Sequence, residues 1–234
     1  MLFEKLGMVI AAGGSGSRFS KTVNKLLVEY QGKPLMIHAL ETFLPVLEPG
    51  NMVIAASAFE LENMQNVVEK FFPGNPIKWV VGGATRLASV VNAVAALPYD
   101  LELVAIHDAA RPLAPAELLY SVLAAARETG GAIPGRAVMD TLKRVNSDHL
   151  TEETISRDRV YAVETPQCFE IARLQEAFRR CPDSLTDDAG TMEAAGFPVQ
   201  IVPNPGFNLK LTCREDLVLL EKLLQLQENN RKIL

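Results

Sequence analysis

Leu6-Gly7-Met8-Val9-Ile10-Ala11-Ala12 runs without a charge into Gly13-Gly14-Ser15-Gly16-Ser17-Arg18, and Lys25 follows seven residues beyond Arg18. An apolar run of strand length that ends in a glycine- and serine-rich loop reads as the first buried strand of a parallel sheet. The three glycines and two serines from position 13 to 17 permit tight turns. Backbone N–H groups there can converge on phosphate oxygens. Arg18 adds a forked cation and Lys25 a point charge. The plain alternative is a glycine-rich turn carrying two solvated cations. Two familiar phosphate loops do not fit. A Walker loop needs Gly-Lys-Ser/Thr, which is absent, and a Rossmann fingerprint needs a glycine where Phe19 stands.

Outward from this junction, short apolar runs alternate with helix-length amphipathic segments. Residues 34–47 read as a helix, with Pro34 suited to its first turn. Residues 52–56 read as a strand, 60–72 as a helix, 77–81 as a strand and 86–97 as a helix. A fourth strand at 101–107 and a helix at 115–128 follow. Apolar strands separated by helices predict a mostly parallel sheet covered on both faces, a three-layer α/β/α fold. Ligands in such sheets sit at the carboxyl ends of the strands. After Pro134 the rhythm breaks. Residues 137–145 and 149–155 read as a polar hairpin around Asn146-Ser147-Asp148. This β-arm, at about residues 136–160, is expected to project and pack on a second subunit. A helix at 187–195, a strand at 199–203 and a closing helix at 214–229 complete a single domain over 1–234.

The 234 residues are 48% hydrophobic with a net charge of −5. No general positive field is available to attract nucleic acid, so an anionic ligand must be held by a few placed cations. Three scattered cysteines without a CxxC pair argue against a disulfide framework or structural zinc. No stretch approaches the length of a membrane span, and the N-terminus lacks the pattern of a signal peptide. A cytoplasmic protein is expected.

Asp108 follows the fourth apolar run, so it belongs at a strand's carboxyl end. A hard carboxylate there can hold Mg²⁺ with phosphate oxygens completing the shell. It can equally cap a turn and pair with Arg111. His38, His107 and His149 form no ligand pattern, and His107 reads as a hydrogen-bonded structural residue. Lys210 lies in the strand-like stretch 208–212, where an idle surface lysine is out of place. Arg157 reads first as part of a solvated charge run, Thr186 as an N-cap for the next helix, and Asp140-Thr141 as hairpin residues.

Ala11-Ala12-Gly13, Arg18, Lys25 and His107-Asp108-Ala109-Ala110-Arg111-Pro112 together resemble the 2-C-methyl-D-erythritol 4-phosphate cytidylyltransferases of the non-mevalonate isoprenoid pathway. Gly82-Gly83-x-x-Arg86-x-x-Ser89, Asp140-Thr141-x-Lys143, Arg157, Thr165-Pro166-Gln167, Thr186-Asp187-Asp188-Ala189 and Asn208-Leu209-Lys210-Leu211-Thr212 extend the resemblance over nearly the whole chain. The resemblance implies a nucleotide-diphospho-sugar-transferase-like fold, a homodimer through the β-arm, CTP as donor, a polyol phosphate as acceptor, and Mg²⁺. It implies that Ala11, Ala12 and Gly13 line the nucleotide site, with Gly82, Ala84 and Ser89 around cytosine and ribose. Arg18, Lys25 and Lys210 would hold phosphates as catalytic cations, and Asp108 the metal. Arg111, Thr141, Thr165, Thr186 and Lys210 would meet the acceptor, with Arg157 coming from the partner's arm.

The chain departs from the family pattern in three places. The first loop is one residue longer than usual, Lys25 stands between Asn24 and Leu26 rather than in Pro-Lys-Gln, and Ala84 replaces a frequent aspartate. Ribitol 5-phosphate is the rival acceptor implied by the same scaffold. A non-catalytic nucleotide sensor is opposed by the presence of Arg18, Lys25, Asp108 and Lys210. A dinucleotide-dependent oxidoreductase fails on the glycine pattern.

Overall fold

The structure, a computed structural model, describes residues 3–14, 19–20, 24–181 and 186–233. The first half alternates as the sequence predicts. β1 (Leu6–Ala12) leads through a 3-10 turn at Lys25–Leu27 and the small hairpin β2 (Glu29–Tyr30) and β3 (Lys33–Pro34) into α1 (Leu35–Phe43). Then come β4 (Met52–Ala56), α2 (Leu61–Phe71), β5 (Lys78–Val81), α3 (Arg86–Ala95), β6 (Leu103–Asp108) and α4 (Ala116–Thr129). Pro34 is the N-cap of α1 rather than part of its first turn. The helix gives way to a 3-10 turn at Leu44–Val46, where Pro45 brings no backbone N–H to continue the α-helical ladder.

β6, β1, β4 and β5 form a wholly parallel block, paired β6–β1, β1–β4 and β4–β5. Alternation along β1 explains the two layers. Met8 and Ile10 face α1, α2 and α4 in one apolar cluster, while Val9 faces α3, α5 (Ile171–Arg180) and α6 (Asp188–Ala194) in the other. All three side chains are fully buried. A third, smaller cluster joins Phe19, Leu35, Leu113 and Leu211 to Leu220 and Leu223 of the final helix, α7 (Glu215–Ile233).

The second half differs most from expectation. The chain does not leave the sheet after Pro134, because Pro134 lies inside β7 (Gly131–Ala137). Gly131, Pro134 and Gly135 hide this strand from a propensity reading. The hairpin is therefore shorter than expected: β8 (Leu142–Val145) pairs with β9 (Thr151–Ile155) as a separate, largely exposed two-stranded sheet. β10 (Tyr161–Val163) and β11 (Gln167–Glu170) return to the main sheet antiparallel to β7, and β12 (Gln200–Pro203) joins β7 in parallel.

β11 inserts between β6 and β7, antiparallel to β6, with Gln167 opposite Ile106. The segment just before β11 thus lies beside the end of β6. That reversal brings Thr165 against Asp108, though the two are far apart in sequence. Residues 208–212 are not a strand. They form a strap fixed by Asn208 Nδ2 donating to the Thr165 carbonyl (2.7 Å), Arg111 donating to the Asn208 carbonyl (2.7 Å) and the Leu211 N–H donating to the Ala110 carbonyl (2.8 Å).

Candidate active site

Two cavities meet at the carboxyl ends of β1 and β6. The larger, about 390 Å³, is lined by Ala11, Ala12 and Gly13 from the end of β1, and by Lys25, Asp108 and Lys210. Gly83, Ala84, Arg86 and Ser89 close its far side. The smaller, about 160 Å³, is lined by Arg111, Thr165, Gln167, Thr186 and Asp187, and it shares Arg86, Asp108 and Lys210 with the first. A wider groove of about 630 Å³ between α3 and α5 contains none of the residues expected from the sequence, so it is not the site they define.

The loop before α3 owes its shape to small residues. A Cβ on Gly82 would stand 2.8 Å from Ser89 Oγ, and one on Gly83 would stand 2.4 Å from Ala88 Cβ. Ser89 Oγ accepts from the Gly83 N–H (3.0 Å) and donates to the Thr85 carbonyl (2.9 Å), while Thr85 caps the helix by accepting from Ala88 N–H (3.1 Å). Gly82 is bonded through its N–H to the Ala56 carbonyl at 2.8 Å. This holds the loop to the end of β4.

Asp108 is the electrostatic centre. Its carboxylate faces Lys210 Nζ at 2.6 Å, Arg86 Nε at 3.5 Å and Arg111 Nε at 3.9 Å. Burial alone would raise its pKa, but Lys210 foremost, then Arg86 and Arg111, hold it at about 2. It is ionised at any physiological pH. The turn-and-pair alternative is the one seen here: the Asp108 carbonyl accepts from the Arg111 N–H (3.0 Å), and the carboxylate lies 3.9 Å from Arg111 Nε. Lys25 Nζ donates to the Leu211 carbonyl (2.7 Å), so the start of the chain grips the strap that carries Lys210.

His107 has the structural role expected of it. Nε2 faces the Arg111 carbonyl (3.1 Å), Nδ1 faces Thr165 Oγ1 (3.0 Å), and the ring meets Phe43 edge-on. The Thr165 hydroxyl also accepts from the Asp108 N–H (3.1 Å). Thr165 therefore anchors Asp108 as well as lining the smaller cavity.

Three expectations change: those for Thr186, Lys210 and Thr141. Asp187, not Thr186, caps α6, with its carboxylate accepting from the Gly190 N–H (3.0 Å). Lys210 sits on the strap rather than in a strand. Thr141 and Arg157 lie on or beside the arm and line neither cavity of this chain; Arg157 donates to the Met139 carbonyl. Arg18 lies outside the described residues. Sequence reasoning noted Arg86 within a motif but gave it no role, and missed its buried partner Asp188, 2.8 Å away. The signal was available in Gly82-Gly83-x-x-Arg86 and in the adjoining aspartates Asp187-Asp188.

Among the described residues, no three His, Cys, Asp or Glu side chains cluster as a metal site, and no helix is long and apolar enough to cross a membrane. Asp108 fits the donor set of an ion that takes one protein carboxylate and completes its shell with substrate phosphate oxygens.

A parallel sheet whose carboxyl edge opens on a glycine-shaped cleft, with an anion-compatible second cavity sharing its cations, defines a nucleotidyltransferase of the α/β type. The comparisons narrow this. A profile of the 2-C-methyl-D-erythritol 4-phosphate cytidylyltransferase family matches residues 6–226. The relative of that description from Caldanaerobacter subterraneus is 35% identical, over 93% of this chain and 97% of its own. One from Halalkalibacterium halodurans is 36% identical, over 94% and 97%. The crystal structure of the 4-diphosphocytidyl-2C-methyl-D-erythritol synthase from Anaerococcus prevotii superposes with a TM-score of 0.79 at 26% identity, covering 95% of this chain and 99% of that one. The chain belongs to the 2-C-methyl-D-erythritol 4-phosphate cytidylyltransferase family.

Proposed function

We propose that this enzyme transfers CMP from CTP to 2-C-methyl-D-erythritol 4-phosphate, releasing pyrophosphate, in non-mevalonate isoprenoid precursor synthesis. Family membership supports the reaction. The observation that carries its placement is the pair of cavities sharing Arg86, Asp108 and Lys210. Donor and acceptor phosphates must meet at one point, and these two cavities meet at those three side chains. Ribitol 5-phosphate as acceptor is not favoured, since the matching relatives carry the methylerythritol description.

The acceptor phosphate is largely dianionic at neutral pH, its second pKa lying near 6. It needs no general base to attack the α-phosphorus. The obstacle is bringing two polyanions together while charge builds on the leaving pyrophosphate, so positioning and electrostatic stabilisation carry the catalysis. Lys25 and Lys210, with Arg18, are proposed to hold the triphosphate. Ala11, Ala12, Gly13, Ala84 and Ser89, which line the larger cavity, are proposed to hold the nucleoside, with Gly82 beside that lining rather than in it. Arg111, Thr165 and Thr186 are proposed for the acceptor, completed by Thr141 and Arg157 of the arm in a homodimer.

Mg²⁺ belongs to this proposal, with Asp108 as its protein ligand. When bound, the ion would neutralise phosphate charge and orient the triphosphate. Lys210, 2.6 Å from the same carboxylate, would stand close enough to reach phosphate oxygens around such an ion. A cytoplasmic setting suits three free cysteines and the supply of CTP.

The test is a pyrophosphate-release screen of CTP, UTP, GTP and ATP against methylerythritol phosphate and ribitol phosphate. CTP with methylerythritol phosphate should lead clearly. Preference for ribitol phosphate, or no discrimination among nucleotides, would overturn the assignment.

A further inference from the structure

We propose that Arg86 is a further catalytic residue, touching the phosphates at the junction of the two cavities, and that Asp188 is the residue that positions it. This rests on the cytidylyl-transfer reading above. Transfer forms a bond from an acceptor phosphate oxygen to the α-phosphorus and breaks the bond from that phosphorus to the bridging oxygen, whose electron pair leaves with pyrophosphate. The reacting phosphorus must lie where donor and acceptor cavities join. Two cationic side chains line both cavities: Lys210 and Arg86.

Arg86 stands in the first turn of α3, directly after the Thr85 cap. Its guanidinium is held at two nitrogens. Nη1 donates to Asp188 Oδ2 at 2.8 Å, and Nε faces Asp108 Oδ1 at 3.5 Å. Nη2 has no hydrogen bond among the described residues. A fork so clamped presents its remaining N–H groups in a fixed direction, the geometry that suits phosphate oxygens.

Asp188 supplies the second, independent observation. The residue is wholly buried in the first turn of α6, and its Oδ1 has no hydrogen-bond partner. A carboxylate removed from water with one oxygen unbonded is costly, and an apolar side chain would pack there without that cost. What the arrangement secures is the direction of Arg86. The pairing joins α3 to α6, so the donor-side and acceptor-side walls are linked through the side chain proposed to act between them.

Arg86→Gln should lower kcat for pyrophosphate release by about 100- to 1000-fold. Its affinity for CTP, measured by calorimetry without acceptor, should stay within about threefold of wild type, as for a contact made in the transition state. Arg86→Lys should recover part of the rate, since it keeps the charge and loses the fork. Asp188→Asn keeps the side-chain volume and should lower kcat by roughly tenfold, yet add nothing in combination with Arg86→Gln. A purely structural Asp188 would instead add its own loss to that of Arg86→Gln, and this result would overturn the positioning role. Arg86→Gln with kcat within about threefold of wild type, or with kcat and CTP affinity falling together, would overturn the catalytic role. Should Asp188→Asn fail to fold, the Arg86 variants carry the test alone. Wild-type protein that releases no pyrophosphate from CTP and methylerythritol phosphate would overturn the functional assignment itself, whereas an active wild type with an equally active Arg86→Gln overturns only this proposal.

Discussion

The Arg111 carbonyl can only accept, so His107 carries a proton on Nε2, and burial keeps the ring otherwise neutral. The Arg111 carbonyl accepts from Nε2–H, which leaves Nδ1 to accept from the Thr165 hydroxyl. That hydroxyl in turn accepts from the Asp108 N–H, so a histidine outside both cavities sets the backbone of the central carboxylate. Burial foremost lowers the His107 pKa to about 4. The folded value lies below the unfolded one of about 6.5, so the neutral ring's contribution is complete above pH 6.5. It drains as pH falls towards 4, because the unfolded chain takes up the proton first. Urea unfolding should show a loss reaching about 3 kcal/mol over that window, and His107→Gln should flatten it. An unchanged pH slope in the variant would remove His107 as its source. The sequence already indicated a structural histidine here. It could not name Thr165 as the partner, because that contact depends on β11 running antiparallel to β6.

The start of α3 is an element-scale device in which two glycines, a threonine cap and Ser89 interlock. Gly83→Ala places a methyl 2.4 Å from Ala88 Cβ, so the loop or the helix must move. Overpacking of this kind costs about 1–3 kcal/mol. Because Gly83 itself lines the nucleotide cavity, CTP affinity should fall with stability, by about tenfold. Gly14→Ala is the contrasting case: a Cβ there meets nothing within 4 Å, and unfolding free energy should change by less than about 0.5 kcal/mol. Chemical denaturation and CTP calorimetry of the two variants check this. Equal stability losses would show that crowding at Ala88 is not the cause. The helix itself was legible from its small-residue pattern. The close approach of Gly82 and Gly83 to it was not, since only the folded backbone sets that distance.

At the scale of the whole molecule, the arm leaves Thr141 and Arg157 away from the cavities of their own chain, and it carries exposed Met139 and Leu150. In the proposed dimer these side chains serve and cover the partner. Arg157→Ala should then raise KM for the acceptor by about 10- to 100-fold, the worth of one charge-assisted hydrogen bond, and leave CTP affinity unchanged. Sedimentation should show a dimer in wild type and variant alike; a monomeric wild type, or equal loss of both affinities, would sink the partner role. By itself the sequence determined the parallel α/β block, the glycine loop at the end of β1 and the chemical types at the site. Those follow from apolar periodicity and local backbone freedom, which neighbouring residues express without help. Tertiary structure alone decided that β7 stays in the sheet despite Pro134, that residues 208–212 form a strap, and that Arg86, paired with buried Asp188, lines both cavities. Each of these depends on pairing between distant segments, and that energy is set by the packed whole rather than by any local stretch.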